Sequence, residues 1–192
     1  MKIHLCCGDI RLVGYLNCDI VGKLTFEATE EEIKANETTL DFYYRYPFIH
    51  NEKERQKNKR PFIIDKMMNI LDKWDFEDYS IEEIVMVSAW EHFSKPEINH
   101  IIQEINRVTK PGARVVVNFP DIKTTVNTYI DSDPFYCSTL VYCNFKDLYS
   151  IHKMLWTPKS FAQALGNGWA VYETNLIKND YPAFTVEAIK VN

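Results

Sequence analysis

Glycine is scarce in this sequence, with six in 192 residues, and none of them builds the Gly-x-Gly-x-x-Gly spacing that lets backbone close around a pyrophosphate. That disfavours a dinucleotide-binding oxidoreductase. The eight prolines stand singly, so no collagenous or low-complexity segment is present. Five cysteines, Cys6, Cys7, Cys18, Cys137 and Cys143, are an odd number, the first two are adjacent, and no Cys-x-x-Cys occurs. Adjacent thiols are poor geometry for a disulfide framework, and the spacing gives a zinc site from Cys6, Cys7 and Cys18 almost no support. Free thiols and no metal are expected. Basic residues are also short, 22 against 27 acidic for a net charge of −5, which argues against a surface that neutralises many phosphates and so against a nucleic-acid substrate. No apolar run reaches the length of a membrane span, and the opening MKIHLCCGDI turns polar too soon for a signal peptide. A cytoplasmic protein without a membrane partner is expected.

What is abundant is core-forming material, 46% hydrophobic and 14% aromatic residues, enough for one well-supported core. Continuous apolar or β-branched stretches at Ile3 to Cys6, Tyr15 to Ile20, Phe62 to Ile64, Ile84 to Val87 and Val115 to Phe119 read as strands covered on both faces, as in a parallel sheet. Between the last two, Ile98, Ile101, Ile102, Ile105 and Val108 share one helical face, and Lys110-Pro111-Gly112 stops that helix, which makes a βαβ unit. A further helix starts after Thr157 as N-cap with Pro158 in its first turn and stops near Gly166-Asn167-Gly168. Strands at Ala170 to Asn175 and Phe184 to Val191 finish the sheet.

Two segments interrupt this alternation. Residues 21–60 form an insertion holding a helix at Glu30 to Asn36, the aromatic run Phe42 to Phe48, which suits a packed flap and a substrate wall equally, and the charged stretch NEKERQKNKR. Acids interleave with bases in that stretch, so it reads as a solvated loop. Residues 121–155 read as a long irregular loop on the substrate side. The whole is expected to be one domain, residues 1–192.

Chemistry concentrates in IHLCCGDIRLVGYLNCDI. A strand runs into a turn at Gly8, where a missing side chain lets backbone approach a ligand, and the next strand ends in Asp19, placed to accept hydrogen bonds from ribose hydroxyls. Asp65 ends the third strand, toward an adenine amino group. A ligand with adenosine and no phosphates suits this loop.

At these residues the chain resembles the class I S-adenosylmethionine-dependent methyltransferases, in the branch with a short glycine loop. Leu5-Cys6-Cys7-Gly8-Asp9, Arg11, Gly14-Tyr15-Leu16-Asn17 and Asp19 stand where that branch has hydrophobic-Leu-Gly-Cys-Gly, basic, Gly-Tyr-hydrophobic-Asn-hydrophobic-Asp. Ser88-Ala89-Trp90-Glu91-His92-Phe93 matches its strand end followed by Glu-His, and Arg107-Val108-Thr109-Lys110-Pro111-Gly112-Ala113 its turn before the fifth strand. Cys6 replaces the loop's first glycine, and the link from first to second strand is too short for a full crossover helix.

The resemblance implies an α/β fold: a Rossmann-like three-layer sandwich on a mostly parallel seven-stranded sheet whose last strand is antiparallel. It implies S-adenosyl-L-methionine as cofactor, with Cys7, Gly8 and Asp9 under the methionine, Asp19 on the ribose, Asp65 and Lys66 beside the adenine, and Ser88 and Trp90 facing the sulfonium. His92 and Asp121 are the candidates for general base toward a hydroxyl acceptor. The Asn/Asp-Pro-Pro-aromatic and Pro-Cys motifs of DNA methylation are absent, so a small molecule or sugar hydroxyl is the expected acceptor. The competing reading is a catalytically degenerate fold that binds a nucleoside or a partner.

Overall fold

Near-continuous apolar runs form the central strands, and the computed structural model, which describes residues 1–43, 61–143, 150–177 and 181–191, sets seven strands in one sheet. In chain order the elements are β1 (Lys2–Leu5), β2 (Arg11–Leu12), β3 (Leu16–Asp19), β4 (Lys23–Leu24), α1 (Glu30–Asn36), β5 (Glu37–Thr38), β6 (Ile63–Ile64), β7 (Lys66–Met67) and β8 (Ile81–Val87). There follow α2 (Lys95–Val108), β9 (Thr109–Pro120), α3 (Ile122–Tyr129), α4 (Pro134–Tyr142), α5 (Pro158–Leu165), β10 (Trp169–Thr174) and β11 (Ala183–Lys190). The sheet order is β10-β11-β9-β8-β1-β3-β7. From β9 to β7 all pairings are parallel, and β11 runs antiparallel to both β9 and β10. This is the expected Rossmann-like architecture.

Pleating assigns alternate residues to two cores. Ile84 and Met86 of β8, with Val115, Val117 and Phe119 of β9, pack under the apolar stripe of α2, Phe161 and Leu165 of α5, and the buried rings of Trp74 and Trp90. Burying one such aliphatic side chain stabilises by roughly 2 kcal/mol. Val85, Val87 and Val116 face the other way, against Leu12, Leu40 and Tyr43. On that face the short link between β1 and β3 carries only the two-residue β2, which pairs with β5, and no long helix lies there among the described residues. β1 and β3 are nevertheless parallel, Leu5 opposite Cys18.

Helix boundaries follow local chemistry. The Glu97 carboxylate accepts from the Ser94 amide (2.6 Å) at the start of α2, Thr29 and Glu32 exchange hydrogen bonds at α1, and Thr157 caps α5, which ends at Gly166 in a left-handed conformation.

Three expectations are corrected. The sheet's third parallel strand is Lys66–Met67, pairing with Cys18 and Asp19, whereas Ile63 and Ile64 pair with Lys23 and Leu24 in a separate ladder. β9 begins at Thr109, so the Lys-Pro-Gly sequence lies inside the strand's span, not before it. The stretch after Asp121 is not irregular: it holds α3 and α4, N-capped by Asp121 and Asp133. The rest of the aromatic run beyond Tyr43 and the charged stretch lie outside the described residues.

Candidate functional site

A parallel sheet leaves a crevice beyond its carboxyl ends where the crossovers diverge to opposite sides, here between β1 and β8. A cavity of about 500 Å³ opens there, within the size range of small-molecule sites. Its wall comes from five parts of the chain: Cys6 and Gly8 after β1, Asp19 and Ile20 at the end of β3, Met68 to Leu71 after β7, Ser88, Ala89, His92 and Phe93 after β8, and Cys143, Ser150 and Lys153. Phe62 and Glu97 complete it.

The backbone at the strand ends is unusual. Cys6, Gly8 and Ser88 have φ of 53°, 56° and 48°. Gly8 takes this freely, and a side chain added there would meet nothing within 4 Å, so the space above it faces the cavity. Cys6 and Ser88 pay about 1–2 kcal/mol each for the left-handed region, and strain of this kind collects at functional sites. Ser88 is held by the Asn118 carbonyl, which accepts from its amide (2.9 Å), and by the Tyr181 hydroxyl, 2.8 Å from its own.

Two carboxylates foreseen as ligand contacts have different standing. Asp19 accepts from the Gly8 amide (2.9 Å) on Oδ2 and from the Ile20 amide (2.7 Å) on Oδ1. A carboxylate has about four acceptor positions, so two remain for a ligand's hydroxyls. Asp65 uses all of its own: Arg11 Nη2 (2.9 Å) and Thr25 Oγ1 (3.2 Å) donate to Oδ1, and the Asn17 amide (2.8 Å) and Nδ2 (3.0 Å) to Oδ2. These bonds hold its carboxyl below the usual range despite partial burial, which opposes them. Asp65 locks the β1–β3 turn, and it does not line the cavity.

Of the other residues singled out in the sequence, Gly8, Ser88 and His92 share the cavity wall with Asp19. Cys7 is buried in the core and Asp9 is half-buried, both away from the wall. Lys66 turns to Asp75 (3.1 Å). Trp90 is fully buried, edge-on to Trp156 and Phe161 with centroids 5.8 and 5.2 Å away. Asp121 spends its oxygens on Thr124, at 3.0 Å from the amide and 2.6 Å from the hydroxyl, as the cap of α3. Sequence reasoning missed Asn69, Ile70, Glu97 and Lys153. For the first two the signal existed: once the third strand is placed three residues later, its carboxyl end falls on Met68 to Leu71.

Behind His92 the environment is dry. Burial pushes the Glu91 carboxyl up to about 8, and burial, with His92 alongside, pushes His152 down to about 4. The backbone there is laced together, since Lys153 and Met154 amides both donate to the Glu91 carbonyl (2.8 and 3.1 Å).

Comparison with known proteins bears on the family and the fold. A family profile described as methyltransferase domain matches residues 22–117. Among solved structures, the PH0226 protein of Pyrococcus horikoshii aligns with 98% of this chain and 81% of its own, at 13% identity and a TM-score of 0.52. A chain of a complex containing the Haloferax volcanii Trm112 methyltransferase activator aligns with 100% of this chain and 82% of its own, at 12% identity and a TM-score of 0.50. No curated protein matches the chain in sequence. At such identities the structural likeness speaks to fold alone.

Proposed function

The chain belongs to the methyltransferase domain family, whose cofactor is S-adenosylmethionine, and from that premise we propose that it transfers a methyl group to a hydroxyl of a small molecule or sugar. The observation that carries the proposal is Asp19: a carboxylate at the end of a parallel strand, beside the open backbone of Gly8, that lines the cavity and uses two of its acceptor positions on the Gly8 and Ile20 amides. That donor set fits a ribose, whose two adjacent hydroxyls can both donate to one carboxylate. Apolar Ile20, Met68, Ile70 and Leu71 give a flat base something to lie against, and Asn69 supplies an amide for its edge. The bound cofactor would supply a methyl group already activated on a sulfonium.

The chain's own work is then placement and exclusion of water. Cys6, Gly8 and Ser88 set the floor at the reacting end. His92 stands on the wall as the group to receive the acceptor's proton: its Nδ1 donates to the Ile151 carbonyl (3.2 Å), which makes Nε2 the nitrogen able to take one. Asp121, engaged in capping α3, is the weaker base. A cytoplasmic setting agrees with five free thiols, and no helix among the described residues is long and apolar enough to cross a membrane.

The test is thermal unfolding and calorimetry with S-adenosylmethionine, S-adenosylhomocysteine and NAD. Saturation at a hundred times Kd stabilises by about 2.7 kcal/mol, so the first two are expected to raise Tm, NAD to leave it unchanged, and Asp19→Ala to abolish the rise. No shift with either sulfur compound overturns the cofactor assignment. A shift without methyl transfer across a panel of hydroxyl acceptors overturns the transferase reading and leaves a binding protein.

A further inference from the structure

Glu91, His92 and His152 each offer one ligating atom, and those atoms all lie within 4.8 Å of one another. The imidazole rings meet edge to face with centroids 4.8 Å apart. Their protonation can be read from their neighbours. His92 Nδ1 lies 3.2 Å from the Ile151 carbonyl oxygen and His152 Nδ1 lies 3.1 Å from that of Val141. A carbonyl only accepts, so each Nδ1 carries a hydrogen, which leaves Nε2 as the nitrogen able to ligate. Orientation by a backbone carbonyl on the far nitrogen is the usual support of a metal-bound histidine.

Glu91 supplies the second, independent observation. Its side chain is 4% exposed, with Oε1 3.9 Å from His152 Nε2. Its Oε2 is buried without a hydrogen-bond partner among the described residues. An orphaned carboxylate oxygen in a dry place is costly. A proton can bridge one pair of these groups, but only a cation engages all three.

We propose that Glu91, His92 and His152 form a three-ligand site for a divalent metal ion of the zinc class, with its fourth position open to the cavity that His92 lines. Two imidazoles, one carboxylate and an open position are a donor set this ion takes in catalytic sites. A tetrahedral ion with bonds of about 2.0–2.2 Å holds its ligand atoms about 3.3–3.6 Å apart, so a pair at the 4.8 Å limit closes by about 1.2–1.5 Å through side-chain rotation. The frame is rigid, because the strap carrying His152 is laced to Glu91 through the Lys153 and Met154 amides. The sequence hides the site: Glu91 and His92 are neighbours, but His152 arrives only after β9, α3 and α4.

The site stands apart from the methyl-transfer reading, but one consequence rests on it. A bound ion takes the His92 lone pair, and an acceptor hydroxyl at the open position is then acidified by the ion, as bound water is, and gives its proton to solvent water in the cavity in place of His92.

The experiment uses the full chain, stripped by chelator and titrated with Zn²⁺ by calorimetry and with Co²⁺ by visible absorption. One equivalent is expected to bind, with a Co²⁺ ligand-field spectrum and a rise in Tm. His152→Ala and Glu91→Gln are each expected to weaken binding by about 100-fold or more, since loss of a supporting residue alone costs about 10–100-fold. His100→Ala, outside the cluster, should leave it unchanged. Absence of stoichiometric binding to the wild-type chain overturns the proposal even if a variant fails to fold, and so does undiminished binding in folded His152→Ala. S-adenosylmethionine titrated into the same stripped protein reports on the cofactor site separately, so neither failure is mistaken for the other.

Discussion

A histidine sealed from solvent has to settle on one tautomer, and at position 4 the neighbours decide. Asn17 Nδ2 donates to the Leu12 and Tyr15 carbonyls, which turns Oδ1 back to accept from the Leu12 amide (2.8 Å) and His4 Nδ1 (3.1 Å). His4 Nε2 therefore accepts from the Tyr43 hydroxyl (3.1 Å). Burial lowers the His4 pKa from 6.5 to about 4, against the Asn17 hydrogen bond, which favours the protonated ring. Above 6.5 the ring is neutral folded and unfolded, and pH has no hold on it. Between 6.5 and 4 the unfolded chain binds a proton that the folded chain refuses, so stability falls as pH falls through this window. Below it the loss is complete, at about 3 kcal/mol. In urea unfolding of metal-free protein at pH 6.5, 5.5 and 4.5, wild type should lose stability relative to His4→Gln as pH falls; Glu91, pushed up by burial to about 8, gains stability over the same range in both proteins and cancels in that comparison. His152, also lowered to about 4, keeps some slope in the variant. An unchanged slope in His4→Gln would place the proton uptake elsewhere. At this scale the sequence was legible where one residue's type answers one demand. Gly8 and Asp19 could be named as cavity residues because a tight turn calls for glycine and the end of a parallel strand faces the crevice. Asp65 looks the same in the sequence, and only the arrival of Arg11, Asn17 and Thr25 from other segments shows that its oxygens are taken.

Among the elements, α2 was legible almost to its ends because its apolar positions repeat at the helical period and Ser94 and Pro96 mark its start. The helices α3 and α4 were not. The first contains Thr124, Thr125, Val126 and Thr128, all β-branched and poor helix formers, and the second is apolar around its whole circumference, leaving Phe135 84% exposed, so no stripe marks it. Their Asp121 and Asp133 caps were the remaining signal. The last turn of α2 holds another element in place. Arg107 donates from Nε to Glu104 (3.0 Å), from Nη1 to the Phe76 carbonyl (2.7 Å) and Asp78 (2.8 Å), and from Nη2 to the Trp74 carbonyl (2.8 Å) and Glu104 (2.6 Å). The Trp74 indole in turn donates to the Ile70 carbonyl (2.9 Å), so this guanidinium anchors the segment that carries Met68 to Leu71 to the cavity. A lysine cannot reproduce a planar fork with five donors. Hydrogen bonds to charged groups contribute about 1.5–3 kcal/mol each, and the ammonium keeps some of them, so Arg107→Lys is expected to cost about 2 kcal/mol in urea unfolding and to weaken S-adenosylmethionine binding a few-fold by calorimetry. A stable variant with intact binding would show that the loop is held by Trp74 packing alone.

Across the whole molecule the two edges of the sheet are built for different ends. At the amino edge polar groups are paired off: Glu83 accepts from Tyr15, pairs with Arg114 (3.0 Å) and lies 3.6 Å from Lys2, while Arg114 also reaches Glu187 (3.2 Å). At the carboxyl edge strained backbone, Asp19 and the cavity lie open together. The division follows from topology, since successive crossovers leave the sheet on opposite sides at β1 and β8 and part only at the strands' carboxyl ends. That the central strands are parallel was readable because strands buried on both faces lack polar alternation, whereas the meeting of Lys153 and His152 with β8's end was not, since nothing local in the sequence encodes a contact across so much chain. If the cofactor binds where the topology opens, it touches segments scattered from Cys6 to Lys153 and should slow their amide exchange together. Cys7, which donates to the Cys18 carbonyl, Gly8 to Asp19, Met68 to the Asp19 carbonyl and His92 to the Ala89 carbonyl are the amides to follow. Tyr79, Glu82 and Val191, hydrogen-bonded at the amino edge to Arg107, Met1 and Gly168, serve as the contrast. Hydrogen exchange by mass spectrometry with saturating S-adenosylmethionine is expected to protect peptides spanning the first group at least about tenfold more than those spanning the second, because local opening at a bound site requires release of ligand while opening elsewhere does not. Equal protection at both edges would mean a global effect on stability without a local site, and protection confined to the amino edge would move the site off the crevice altogether.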